Sequence, residues 1–271
     1  MGRRGAVATN HPLATQAGLD VLRAGGNAVD ATVAISFVLG VVEPMMSGIG
    51  GDGFYHVALA GSGKGICYNG TGAAPEAATV AHYRSQGGIP LNGPLSTSIP
   101  GTIAGLALMH QAHGTKPWSE LFAAAIDHAR HGFAATHGYV HFAGENRAVL
   151  AQDPGSRKVF LDPASGDAPP VGSLIVQADL ARTLEEIAAD AESFYRGKLA
   201  RRLAAACRDQ GVLLTERDLA GCHAEAVAPI AINYRGYEIR QTPPNSTGFV
   251  LLQELKIVER FDLARMKPGS P

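Results

Sequence analysis

The amino-acid sequence predicts an α+β fold, rich in helix and short of strand. Stretches with apolar side chains three and four residues apart recur along much of the chain. The few alternating segments come in pairs around tight turns, and no further segment pairs with them to close a sheet. The expectation is therefore a helix-rich region with an incomplete sheet, occupying residues 1–271 as one unit and needing strands that these residues do not provide.

Taken in order, Pro12 at a first-turn position and Gly25-Gly26 bracket a helix carrying Leu13, Ala17, Leu19 and Leu22. The segment from Ala28 to Val42 is apolar nearly all round, which predicts a helix inside the core, stopped by Glu43-Pro44. A glycine-dense loop, Ser47 to Gly53, leads into a strand from Phe54 to Leu59. Gly61-Ser62-Gly63 then turns the chain into a partner strand, Gly65 to Asn69. Thr79 to Pro100 is irregular and reads as loop. Helices are expected over Gly101 to His113, Pro117 to His131, Val176 to Ala191 and Phe194 to Gln210. Thr215 is placed to cap a short helix with Asp218 at its third position. Ile230 to Tyr234 and Tyr237 to Gln241 form a hairpin around Arg235-Gly236, and Gly248 to Phe261 a last helix. Beyond it, Lys267-Pro268-Gly269-Ser270-Pro271 offers no packed element.

A formal net charge of −1 gives no basic field, so nucleic acid is not an expected partner. The longest apolar stretch falls short of the roughly 20 residues that span a bilayer, so neither is a membrane. Met1 to Pro12 carries two arginines but no apolar run behind them, and the expected location is the cytoplasm. Three cysteines, Cys67, Cys207 and Cys222, lack the spacing of a zinc site or a disulfide framework and read as small buried residues.

Gly48-Ile49-Gly50-Gly51-Asp52-Gly53 invites a phosphate-binding reading. Its glycines follow a helix and precede a strand, however, the reverse of a nucleotide loop, which makes a tight structural turn the expectation. The pairs His110/His113 and His128/His131 each share a helical face. Without a visible third ligand they are expected to be solvent-exposed, and no metal or other cofactor is expected. No GxSxG or HExxH occurs, and no residue of the chain is singled out as catalytic.

The blocks His11-Pro12-Leu13-Ala14, Ala17-Gly18-Leu19 and Leu22 to Ala31 resemble the opening of γ-glutamyltransferases (γ-glutamyltranspeptidases, glutathione hydrolases). Val42-Glu43-Pro44, Ser47 to Gly51, Pro100-Gly101-Thr102, Ala104-Gly105-Leu106, Phe194-Tyr195-Arg196-Gly197 and Pro243 to Gly248 continue the match in order. The resemblance implies an N-terminal-nucleophile hydrolase with an αββα sandwich, made as a precursor that cuts itself in two. Its nucleophile is the threonine at the new N-terminus of the small subunit, with the threonine's own amino group as base. On that reading this chain is large-subunit region lying before the threonine, inactive alone, and its partners are the small-subunit segment and a small-molecule amide substrate.

Members acting on glutathione bind the substrate α-carboxylate through an arginine after the first hairpin. Anchoring on Ala74-Pro75 places that position at Thr71, which cannot form a charged fork. Thr71 is accordingly the candidate substrate-binding residue, although a threonine between two glycines also reads as an ordinary turn residue. The functions kept open are acyl hydrolysis or transfer from a γ-glutamyl or related amide such as glutathione, an oxamate amidohydrolase or cephalosporin-acylase type of amidase, and a non-catalytic scaffold chain.

Overall fold

The computed structural model describes residues 5–267 and Gly269. The two N-terminal arginines, Arg3 and Arg4, and the expectation for the final residues Pro268, Ser270 and Pro271 lie outside the described residues.

Helices α1 (Pro12–Arg23) and α2 (Ala28–Val42) open the fold. Asn27 caps α2 by accepting from the Val29 and Asp30 amides, and Asp30 returns the bond to the Asn27 amide, completing a capping box. The helix ends at Val42, as the Glu43-Pro44 step requires. Strands β1 (Gly53–Ala58) and β2 (Gly65–Gly70) pair antiparallel. The expected loop that follows is not wholly loop. Thr79 accepts from the His82 amide and starts a short helix, α3 (Val80–Ser85), and Pro94–Ser96 makes a 3-10 turn.

Next come α4 (Thr102–His113) and α5 (Ala123–His131). The single helix expected over 117–131 is two pieces, because Trp118–Phe122 winds as 3-10 before α5 begins. The region 132–175, left without elements in the sequence reading, holds β3 (Phe133–Ala134), α6 (His137–Glu145), α7 (Arg147–Leu150), α8 (Pro154–Phe160) and β4 (Leu174–Ile175). These helices are short, and Thr136 caps α6 while Asp153 caps α8, a local signal that apolar periodicity does not register.

Helix α9 (Ala178–Ala189) is followed by α10 (Lys198–Asp209), not by one helix from Phe194. A 3-10 turn over Ala191–Phe194 and Gly197 at φ 92° separate the two, a conformation a helix interior does not allow. The chain finishes with α11 (Glu216–Gly221), β5 (Glu225–Val227), β6 (Ile230–Tyr234), β7 (Tyr237–Gln241) and α12 (Gly248–Val258). Thr215 and Asp218 form the capping box read from the sequence. Arg235 and Gly236 both take positive φ, 51° and 88°, which matches the twist of a two-residue hairpin.

Three small sheets result among the described residues: β1-β2-β5, β3-β4 and β6-β7. The first hairpin is thus not left alone, because β5 adds to β2 with Asn69 opposite Glu225, a long-range pairing that no local pattern announces. Helix α2 sits at the centre, packed on α1, α4, α5 and the 3-10 segment. There Phe37 stacks on Phe122 with ring centres 4.0 Å apart and meets Trp118 edge-on. Tyr55, Val57, Ile66 and Tyr68 give the sheet its core-facing side. Phe54, His56, Cys67 and Asn69 therefore occupy the opposite side, since strand side chains alternate.

Candidate functional site

The candidate site forms where β2 runs out. Asn69 and Thr71 stand on the side of the strand away from the helices. The Asn69 carboxamide oxygen accepts from the Thr71 amide (3.0 Å) and the Thr71 hydroxyl (2.6 Å). Asn245, from the loop after β7, donates to the Thr71 hydroxyl oxygen (2.9 Å) and accepts from Asn69 (3.2 Å). Three uncharged side chains therefore close a ring of hydrogen bonds. The turn reading of Thr71 holds, since its amide is held by Asn69, and Thr71 also lines a cavity of about 380 Å³.

Several elements place this ring. Gly70 and Gly72 let the strand end pass close to its neighbours. A Cβ on Gly72 would sit 1.4 Å from the Ile99 carbonyl oxygen, so only glycine permits this approach. Asp52, at the end of the glycine-dense loop, accepts from the Gly72 amide (3.0 Å), and Gly51 accepts from the amides of Gly101 and Thr102. Within the loop the Gly51 amide donates to the Gly48 carbonyl. The loop follows α2 and precedes β1, which removes the nucleotide-loop reading.

On the far side, the loop carrying Asn245 is tied to the sheet. One nitrogen of His56, Nε2, lies 2.8 Å from the Cys67 sulfur and 2.9 Å from the Thr242 hydroxyl. Ser246 donates to the Thr242 carbonyl and accepts from Gly248, so Ser246 supplies the entry to α12 while Thr247, at the cap position, makes no such bond. Burial pushes the Cys67 thiol up, which leaves it a protonated hydrogen-bonding group.

The remaining wall comes from Ala73, Ile99, Gly221, Cys222, His223, Glu225 and Pro244. Glu225 pairs in register with Asn69 across β2 and β5, which puts it on the same side. Arg84 does not join this lining; it borders a different groove of about 730 Å³ with Tyr83, Ile89 and Leu95. Sequence reasoning named Thr71 but not Asn69, Asn245, Asp52 or Glu225. Asn69 lay two residues away and Asn245 inside a quoted block, yet only tertiary contact brings them together.

The histidine pairs correct an expectation. His110 is half-buried and bonds the Lys116 carbonyl, and half-buried His113 bonds the Tyr68 hydroxyl at 2.7 Å. Only His131 is exposed, beside Asp127, while burial lowers the affinity of half-buried His128 for its proton. Among the described residues no group of three or more His, Cys, Asp or Glu side chains is placed to hold a metal ion. No helix among them is long and apolar enough to cross a membrane. The cysteines are free, with Cys67 buried but Cys207 and Cys222 only partly so.

Known proteins resemble this chain along nearly its whole length. The model of the family Gamma-glutamyltranspeptidase matches residues 14–271. The acylase ACY 1 proenzyme of a Pseudomonas species (strain V22) is 37% identical over 99% of this chain and 50% of its own length. The glutathione hydrolase proenzyme of Bacillus subtilis is 36% identical over 98% of this chain and 46% of its own. The chain therefore spans about half the length of these curated relatives. Among solved structures, Helicobacter pylori gamma-glutamyltranspeptidase superposes with a TM-score of 0.94 at 34% identity, covering all of this chain and 79% of that one. The family model covers nearly the whole chain and the likeness extends from sequence to fold, so this chain belongs to the gamma-glutamyltranspeptidase family.

Proposed function

We propose that the chain is the large-subunit region of an amide-cleaving N-terminal-nucleophile hydrolase or acyltransferase, and that Thr71 contacts the acyl group of its donor. The observation that carries this reading is the cavity at the end of β2, where an uncharged ring of Asn69, Thr71 and Asn245 stands at the position the family resemblance gives to a carboxylate-binding arginine. The nucleophile and its base come from a second segment. In support, the relatives are named proenzymes and this chain spans about half of them.

The chemistry follows from that division of labour. The small-subunit threonine attacks the amide carbonyl, the bond to the amine breaks, and the acyl group passes to the threonine oxygen before water or an amine releases it. Residues of this chain orient the acyl group and exclude the wrong one. An acylase-like donor is favoured over glutathione, because a threonine hydroxyl cannot replace the two charge-assisted bonds of a guanidinium.

The test uses the matured full-length protein and this chain alone. The full-length protein is expected to run as two fragments and to hydrolyse simple amides, whereas the isolated chain hydrolyses none. Turnover by the isolated chain that is abolished by a point change within it would overturn the division proposed. Efficient use of glutathione by the wild type would overturn the role given to Thr71.

A further inference from the structure

The formal charge in the lining of the cavity is negative. Its lining contains no lysine or arginine, but it contains the carboxylate of Glu225, exposed and without an ion-pair partner among the described residues. Asp52 stands behind Gly72 with one oxygen on that amide. Its field reaches the wall: the Cys222 thiol is raised first by burial and further by the Asp52 and Glu192 carboxylates, against a lowering bond from Tyr195. The flanking cations are engaged elsewhere, Arg196 with Glu192 and the Ala220 carbonyl, Arg217 with Glu76.

The uncharged ring adds direction to this field. Asn69 and Asn245 each use one amide N–H within the ring and keep the second, and the Thr71 oxygen keeps a lone pair. A ligand group entering here meets neutral donors and acceptors first and a carboxylate beside them. In-register pairing holds Glu225 a cross-strand neighbour's distance from Asn69, about 5 Å between Cβ atoms. A ligand ammonium is attracted at such range and a ligand carboxylate is repelled.

We propose that this cavity selects amide donors by the charge at the end of the acyl group, with Glu225 as a specificity-determining residue: an ammonium or an uncharged hydrogen-bonding end is accepted, and a carboxylate is excluded. The proposal rests on the reading that Thr71 faces the acyl group. It narrows that reading against oxamate, whose acyl group carries a carboxylate.

Three p-nitroanilides of five-carbon acyl groups separate the charges: 5-aminopentanoyl, pentanoyl and glutaryl. With the matured protein, kcat/KM is expected to fall in that order, and Glu225→Gln is expected to raise the glutaryl-to-aminopentanoyl ratio on the order of tenfold at low salt, less at high salt. An unchanged ratio in the variant, or glutaryl preferred by the wild type, overturns the proposal. Binding of 5-aminopentanoate and glutarate, followed by calorimetry in wild type and Glu225→Gln, gives a readout that needs no turnover. Charge discrimination there, lost in the variant, supports the selection by Glu225 even if no amide is cleaved, an outcome that would count against the amidase reading alone. Equal binding of both acids by the wild type overturns the selection itself.

Discussion

Asp30 shows how much one side chain settles. It is buried, yet it accepts from the Asn27, Thr115 and Lys116 amides and from the Thr115 hydroxyl, with His110 3.7 Å away. Burial pushes its carboxyl up, but these bonds outweigh burial and the net shift is downward. A carboxyl held below its unfolded value stabilises the fold fully above about pH 4. That contribution is lost as pH falls through the lower folded value. Asp30→Asn cannot accept from all four donors and is expected to cost about 2–3 kcal/mol at neutral pH. Urea melts between pH 7 and pH 3 should show the variant's stability falling less steeply on the acid side. A variant as stable as the wild type at pH 7 would remove Asp30 from the list of structural anchors.

Thr71 carries the second prediction. Replacing it by arginine offers a donor α-carboxylate two charge-assisted bonds. Thr71→Arg in the matured protein should raise kcat/KM for glutathione relative to an uncharged amide, by one or more powers of ten at about 1.4 kcal/mol per tenfold. An unchanged ratio of the two specificity constants, in a variant that melts like the wild type, would show that position 71 does not meet the donor.

Among the elements, α4 and β2 are matched by their glycines. A Cβ on Gly105 would lie 2.8 Å from the Gly70 Cα and 2.9 Å from the Tyr55 ring, so helix and strand touch backbone to backbone. Gly105→Ala gains helix propensity of about 1 kcal/mol. It should still destabilise by about 1–3 kcal/mol, because the strand must move away. Chemical denaturation of the single variant decides the sign. The same contact explains why Ala104-Gly105-Leu106 stood out as a block while its reason stayed hidden: the sequence shows a glycine, and only the packed strand shows what it admits.

Legibility follows that rule throughout. α1, α2, the start of α11 and the β6–β7 hairpin were readable almost to the residue, since caps, glycine turns and apolar periodicity are local signals. The break at Gly197, the 3-10 start at Trp118 and the short helices between 137 and 160 were not, because a three-residue deviation or a seven-residue helix barely alters the period. Of the site, Thr71 was legible only through family resemblance, and its partners 2, 154 and 174 positions away were not legible at all.

The molecule as a whole has one lopsided feature. Helix α12 packs chiefly on the β6–β7 hairpin and buries only Leu252, while Phe249, Val250, Leu251 and Ile257 remain exposed, as do Phe261 and Leu263 beyond it. This is the apolar surface near a hairpin that an incomplete sandwich predicts. Residues 1–271 alone should therefore bind a hydrophobic dye and self-associate, as light scattering would show. Phe249→Lys together with Ile257→Lys should reduce both. A monodisperse monomer that ignores the dye would mean these side chains are tolerated singly at the surface.

The bond between Asn245 and Thr71 spans 174 residues. At translation rates of about 5–20 residues per second, Thr71 leaves the ribosome roughly 9–35 s before the loop that completes its ring. Throughout that interval the strand end waits with its polar groups solvated and the Pro244-Asn245 wall of the cavity missing. A nascent chain stalled before Asn245 would hold most of its helices, and Glu225 with them, while the ring beside Thr71 stayed open.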